Sequence, residues 1–99
     1  MMKSITPEQL QAKIEAGEVV NLIDVREVAE LQEGHIEGVT NIPLGLLEFR
    51  MQELDKAKPY IMICRSGGRS GQATMFLESQ GFDVTNMTGG MLAWTGDIK

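Results

Sequence analysis

Tyr60-Ile61-Met62-Ile63-Cys64-Arg65-Ser66-Gly67-Gly68-Arg69-Ser70 decides the reading of this chain. The first five of these residues, entered from Pro59, form an apolar run with the composition of a buried strand. The six that follow hold two glycines and two arginines. From Ser70 to Gln80 the pattern turns helical, with Ala73, Phe76 and Leu77 on one side and Gly81 as the stop. A strand, a glycine loop and a helix in that order are a building unit of α/β sheets. Ligands in such sheets gather at the carboxyl ends of the strands, and Cys64 sits at one.

Working outward, the same alternation continues. Val19-Val20-Asn21-Leu22-Ile23-Asp24 reads as a buried strand, and Glu27 to Glu33 as a short helix ended by Gly34. Val39-Thr40-Asn41-Ile42 reads as a second short strand closed by Pro43, and Leu44 to Leu54 as helical, with Gly45 near its start. At the amino end, Thr6-Pro7-Glu8-Gln9 has the form of a helix start: Thr6 as N-cap, Pro7 in the first turn, Gln9 completing a capping box. Leu10 and Ile14 then share a face, and Gly17 is the stop. Phe82 to Met87 gives a last strand, Gly89-Gly90 breaks the chain, and Met91 to Trp94 suits a closing helical turn. Helices between strands imply parallel pairing, with helices on both faces of a central, mostly parallel sheet. The expectation is a single α/β domain over residues 1–99.

Composition narrows the function. Hydrophobic residues make up 42% and charged residues 23%, as in ordinary soluble domains. The formal net charge of −5 disfavours non-specific binding to nucleic acid or to an anionic membrane. One cysteine allows no internal disulfide, and one cysteine with one histidine cannot build a structural zinc site, so neither metal nor cofactor is expected. The start of the chain has no apolar signal core and no stretch is long enough to cross a bilayer. A monomer in the cytoplasm is expected, although a chain trimmed of a leader would look the same.

The chemistry concentrates in the loop. Cys64 ends a buried strand, which fixes its backbone. Gly67 and Gly68 open backbone angles closed to other residues, so successive amides can turn inward as an anion nest, backed by a helix N-terminus. Arg65 and Arg69 add two cations. Such surroundings lower a cysteine pKa from about 8.5 into the range of roughly 3.5–7.5, giving a nucleophilic thiolate. The bland alternative is an inert core cysteine before an ordinary turn. A turn needs the glycines but not both arginines.

Cys64-Arg65-Ser66-Gly67-Gly68-Arg69-Ser70 resembles the active-site loop of single-domain rhodaneses, which are sulfurtransferases. Leu22-Ile23-Asp24-Val25-Arg26, Glu30, Gly34-His35-Ile36-Glu37-Gly38 and Asn41-Ile42-Pro43 resemble that family's amino-terminal signature; Gly81-Phe82, Gly89-Gly90 and Trp94 resemble its carboxyl-terminal one. The resemblance implies a rhodanese-like sheet of about five strands and a double displacement. Cys64 would take the outer sulfur of thiosulfate or a persulfide, hold it as a persulfide, and pass it to a thiol acceptor. That acceptor would be a low-molecular-weight thiol or a thioredoxin-like protein, with cyanide serving in the test tube. Arg65 and Arg69 match positions facing the donor, and the amides of Arg65, Ser66, Gly67, Gly68, Arg69 and Ser70 match those lining the persulfide. Val28 departs from the pattern, where a proline is common.

Other residues invite catalytic roles and are assigned structural ones. His35 falls in a turn that the family uses structurally. Asp24 and Arg26 are expected to satisfy each other and the backbone at a strand end, and Glu30 to do the same or to be solvated. Trp94 is expected to close the core. Met51, Met62, Met75, Met87 and Met91 are read as core fillers. Two rival functions are a cysteine-based phosphatase or arsenate reductase and a non-catalytic sulfur-carrier or regulatory module. The phosphatase type of loop places its arginine six positions after the cysteine; here position 70 is serine and the arginine is Arg69. The shorter ring suits sulfur better than phosphate.

Overall fold

A computed structural model describes residues 2–99. Five strands form one sheet: β1 (Lys3–Ile5), β2 (Leu22–Asp24), β3 (Thr40–Asn41), β4 (Pro59–Ile63) and β5 (Asp83–Met87). Their spatial order is β1-β5-β4-β2-β3, and every pairing is parallel. The helices are α1 (Pro7–Glu15), α2 (Leu47–Arg50), α3 (Gly68–Ser79) and α4 (Gly90–Ala93).

Alternation along the strands divides the core between the two faces of the sheet. Ile23, Val25, Met62, Cys64 and Val84 point to one face, where Leu47, Ala73 and Leu77 of α2 and α3 cover them. Leu22, Ile63 and Met87 point to the other, where Leu10 of α1 covers them and Met91 and Trp94 pack alongside. Helices therefore lie on both faces, as the alternation of strand and helix implies. No helix among the described residues is long and apolar enough to cross a membrane.

The start of α1 is built as its sequence dictates. Thr6 caps it, the Gln9 amide donates to Thr6 Oγ1 at 3.1 Å, and Gln9 Oε1 accepts from the Thr6 amide at 3.0 Å. At its end the Glu18 amide reaches back to the Lys13 carbonyl and the Gly17 amide to that of Ile14, closing the last turn.

Several expectations need correction. β1 has no strand-like pattern of its own; it exists because Lys3, Ser4 and Ile5 pair with Thr85, Asn86 and Met87. The run Val19–Asp24 is strand only from Leu22, and Val19 is exposed. Leu44 to Leu54 divides into a 3-10 turn (Leu44–Leu46), α2 and a second 3-10 turn (Met51–Glu53). Gly45 weakens the first of these turns as a helix start. Glu27 to Glu33 forms a 3-10 turn, Val28–Glu33. Ile14 does not join Leu10 in the core, and Met75 is exposed rather than a core filler. α3 begins two residues earlier than its pattern suggests, at Gly68.

The register positions the site. Asp24 of β2 pairs with Ile63 of β4, so the chain leaving β2 and the chain leaving β4 emerge side by side. The Val25 amide seals this exit by donating to the Ile63 carbonyl at 2.8 Å. β5, on the other side of β4, delivers Gly89 and Gly90 to the same edge.

Candidate active site

Cys64 is the residue after β4 and is only 1% exposed. It belongs to the core packing of its face, so the bland reading of a core cysteine is half true. What separates it from an inert thiol is the chain around its sulfur. Gly67 takes φ +101 and turns its amide back, so that N–H donates to Cys64 Sγ at 3.0 Å. A side chain at Gly67 would also press on the Gly89 amide at 3.2 Å. Gly68, Arg69 and Ser70 form the first turn of α3, whose amides have no partner within the helix. Gly68 itself needs no left-handed backbone, which corrects the expectation that both glycines would; a Cβ there would meet open space.

Burial pushes the Cys64 thiol up. The Ser70 hydroxyl and the amides of Ser70, Gly67 and Ser66 outweigh it, and the thiol pKa falls below its ordinary value. The hydroxyl's part in this is limited, because it has one proton and donates to Asn86 Oδ1 at 2.5 Å. Asn86 Nδ2 donates in turn to the Gly67 carbonyl at 3.4 Å. The amides therefore carry the greater part of thiolate stabilisation, and Asn86 holds the loop that presents them.

The loop rests on the chain after β5. The amides of Met91 and Leu92 donate to the carbonyls of Cys64 and Arg65 at 2.8 and 2.9 Å. Gly90 permits this approach: a Cβ there would fall 2.4 Å from the Arg65 oxygen and 2.6 Å from that of Cys64.

The two arginines part company. Arg65 is exposed, with Nη1 4.0 Å from Glu33 Oε1. Arg69 turns to Glu30, with Nη1 and Nη2 donating to the two carboxylate oxygens at 2.7 and 2.8 Å. That pairing lowers the Glu30 pKa to about 2 and raises that of Arg69. Glu30 thus leaves the strand-end role expected of it and reaches across to the cysteine loop. Asp24 and Arg26 do satisfy each other: Arg26 Nε and Nη2 donate to the Asp24 carboxylate at 2.8–3.1 Å. His35 Nδ1 contacts the Leu31 carbonyl at 3.1 Å, and the His35 backbone pairs with that of Lys99. Trp94 packs on the core of its face. Glu30, Asn86 and Gly90 thus serve the loop, although the sequence pattern does not mark them as site residues. The clue for Glu30 was topological, an acidic residue leaving the strand beside the one that delivers two arginines.

A cavity of about 300 Å³ opens beside the loop between Glu33, Arg65, Leu92 and Trp94. One of equal volume lies at the opposite edge, between Lys3, Val20, Asn21 and Pro59. Size does not mark the site; the backbone amide aimed at the Cys64 sulfur does.

A cysteine at the carboxyl edge of a parallel sheet, its sulfur met by a loop amide and followed by a helix N-terminus, defines a class of cysteine-loop α/β domains. Within it, this chain belongs to the rhodanese-like family, whose domain profile matches residues 6–97. It is 46% identical over 98 residues to YtwF of Bacillus subtilis, which carries a provisional sulfurtransferase name; the match spans 99% of this chain and 95% of that one. A sulfurtransferase of Allochromatium vinosum is 38% identical, over 95% of this chain and 89% of its own. The fold superposes on a rhodanese-like domain protein from Staphylococcus aureus with a TM-score of 0.93 and 32% identity, covering 99% and 97% of the two chains.

Proposed function

We propose that this domain is a sulfurtransferase that carries sulfane sulfur on Cys64. The observation that carries the reading is the Gly67 amide aimed at Cys64 Sγ from 3.0 Å, because it stabilises the thiolate that must attack the donor. The names of the relatives support the same class of reaction.

The chemistry is a double displacement. The Cys64 thiolate attacks the outer sulfur of the donor. The donor's S–S bond breaks as the Cys64 S–S bond forms, and sulfite leaves from thiosulfate or a thiolate from a persulfide. The charge that reaches the outer sulfur of Cys64 remains beside the amides of Ser66, Gly67 and Ser70. An acceptor thiolate, or cyanide in an assay, then attacks that sulfur and returns Cys64 as thiolate. The α3 N-terminus favours the negative sulfur through both steps. The Arg65 side chain stands exposed at the rim, beside Glu33. No cofactor takes part, and the acceptor is a thiol from outside the chain.

Intact-mass measurement after incubation with thiosulfate or a persulfide should show one added sulfur, absent from Cys64→Ser. An adduct that persists in that variant would sink the assignment. Turnover of an aryl phosphate without sulfur loading would favour a phosphatase instead.

A further inference from the structure

We propose that the mouth of this site selects its donor by charge, with Glu30 and Glu33 set against the loop arginines so that a singly charged persulfide is accepted over the thiosulfate dianion. The inference rests on the sulfur-transfer reading and names the donor class for that same site.

The charges around the mouth can be counted. Both Nη atoms of Arg69 are committed to Glu30, and Glu27 adds a further negative charge to the field at Arg69. Arg65 faces Glu33. Arg26 is neutralised by Asp24, and the nearby Lys99 ammonium pairs with Glu37 at 3.3 Å. That leaves two cations, Arg65 and Arg69, against three carboxylates, Glu27, Glu30 and Glu33, before the Cys64 thiolate is counted. The attraction left for an anion comes from the amides and the start of α3. These act at the sulfur, over a short range, and not on the donor's distal charge.

Thiosulfate must bring two negative charges through this mouth, with its sulfonate end left among the carboxylates. A persulfide such as that of cysteine brings a net single charge and a cationic amino group that suits the exposed Glu33 carboxylate. Transfer is balanced in the same way as before. The Cys64 thiolate attacks the outer sulfur, the persulfide S–S bond breaks, and the donor's thiolate leaves. The persulfide negative charge passes to the outer sulfur on Cys64, and no oxidant or reductant is consumed.

Coulomb energy scales with the charge of the incoming donor, so removing one carboxylate changes the logarithm of the rate twice as much for a dianion as for a monoanion. The test is stopped-flow loading of the full chain, wild type, Glu30→Gln and Glu33→Gln, by thiosulfate and by cysteine persulfide at low and high ionic strength. The wild type should load faster from the persulfide, and its thiosulfate rate should rise with salt as repulsion is screened. Each substitution should raise the thiosulfate rate more than the persulfide rate, roughly tenfold against about threefold for Glu30→Gln, and weaken the rise with salt. Equal changes for both donors, or a salt dependence that stays the same, would overturn the proposal. So would loss of loading from both donors in Glu30→Gln with Glu33→Gln silent, which would make Glu30 only a strut for the loop. If no sulfur reaches Cys64 from either donor at any salt, the failure belongs to the sulfur-transfer reading.

Discussion

Two arginine–carboxylate pairs stand at the same edge of the sheet, and they differ in what surrounds them. Asp24 and Arg26 are almost wholly buried, with side chains 0% and 4% exposed. Arg26 also donates to the carbonyls of Glu30 and Gly34, and Asn41 Nδ2 donates to the carbonyls of Asp24 and Arg26. This pair ties the exit of β2 to the 3-10 turn and to β3. Glu30 and Arg69 are 22% and 35% exposed and join segments thirty-nine residues apart. Water reaches the second pair and not the first. The same two functional groups therefore make a fixed strut in one place and, at the loop that follows Cys64, a contact that solvent and an incoming anion can compete for.

The largest expected effect breaks the strut. Asp24→Ala leaves the Arg26 guanidinium buried without its carboxylate, which should cost about 3–5 kcal/mol. Urea unfolding followed by circular dichroism measures this. A loss below about 1 kcal/mol would mean that water or a shifted Arg26 relieves the charge, and the contrast between the pairs would collapse.

Next comes Gly90→Ala, which asks whether the cysteine loop is held by backbone packing or by the Glu30–Arg69 pair. The new Cβ would meet the Arg65 and Cys64 carbonyls at 2.4 and 2.6 Å, at a position whose φ is +59. Strain and displacement should cost about 1–3 kcal/mol. The loop amides should move off the sulfur, so the alkylation pKa of Cys64 should climb toward the ordinary thiol range. Unchanged alkylation in a folded variant would show that the Glu30–Arg69 pair alone fixes the loop.

What the sequence conveys about these features follows from how local each one is. β2, β4 and β5 are legible because each places apolar residues on a pleated, buried backbone. β1 is not, since only Ile5 of its three residues is buried and its existence depends on β5, at the far end of the chain. Cys64 and Gly67 are legible because their chemistry is contiguous. Gly68 is not the conformational necessity that its place after Gly67 suggests, because the helix starts at that residue. The role of Glu30 is not legible, because its partner is chosen by the adjacency of β2 and β4, which chain order does not state. That of Asn86 is hidden for a related reason: its side chain meets Ser70 and Gly67 only after α3 packs on β5.

The smallest effect sharpens the comparison from the exposed side. Arg69 keeps about a third of its side chain in solvent. Screening should leave its pair with Glu30 worth about 0.5–1 kcal/mol, although the contact is bidentate. Glu30 ionises at about 2 in the folded chain against an ordinary 4.5, so its contribution is present in full above 4.5 and is lost as pH falls toward 2. The stability difference between wild type and Glu30→Gln should therefore be constant from neutral pH to about 4.5 and shrink below it, as read by urea midpoints across that range. A difference that persists undiminished to pH 2 would mean that Glu30 supports the loop by packing rather than by charge. The two pairs would then be struts of the same kind, and the charge-based selection of donors would lose its physical basis.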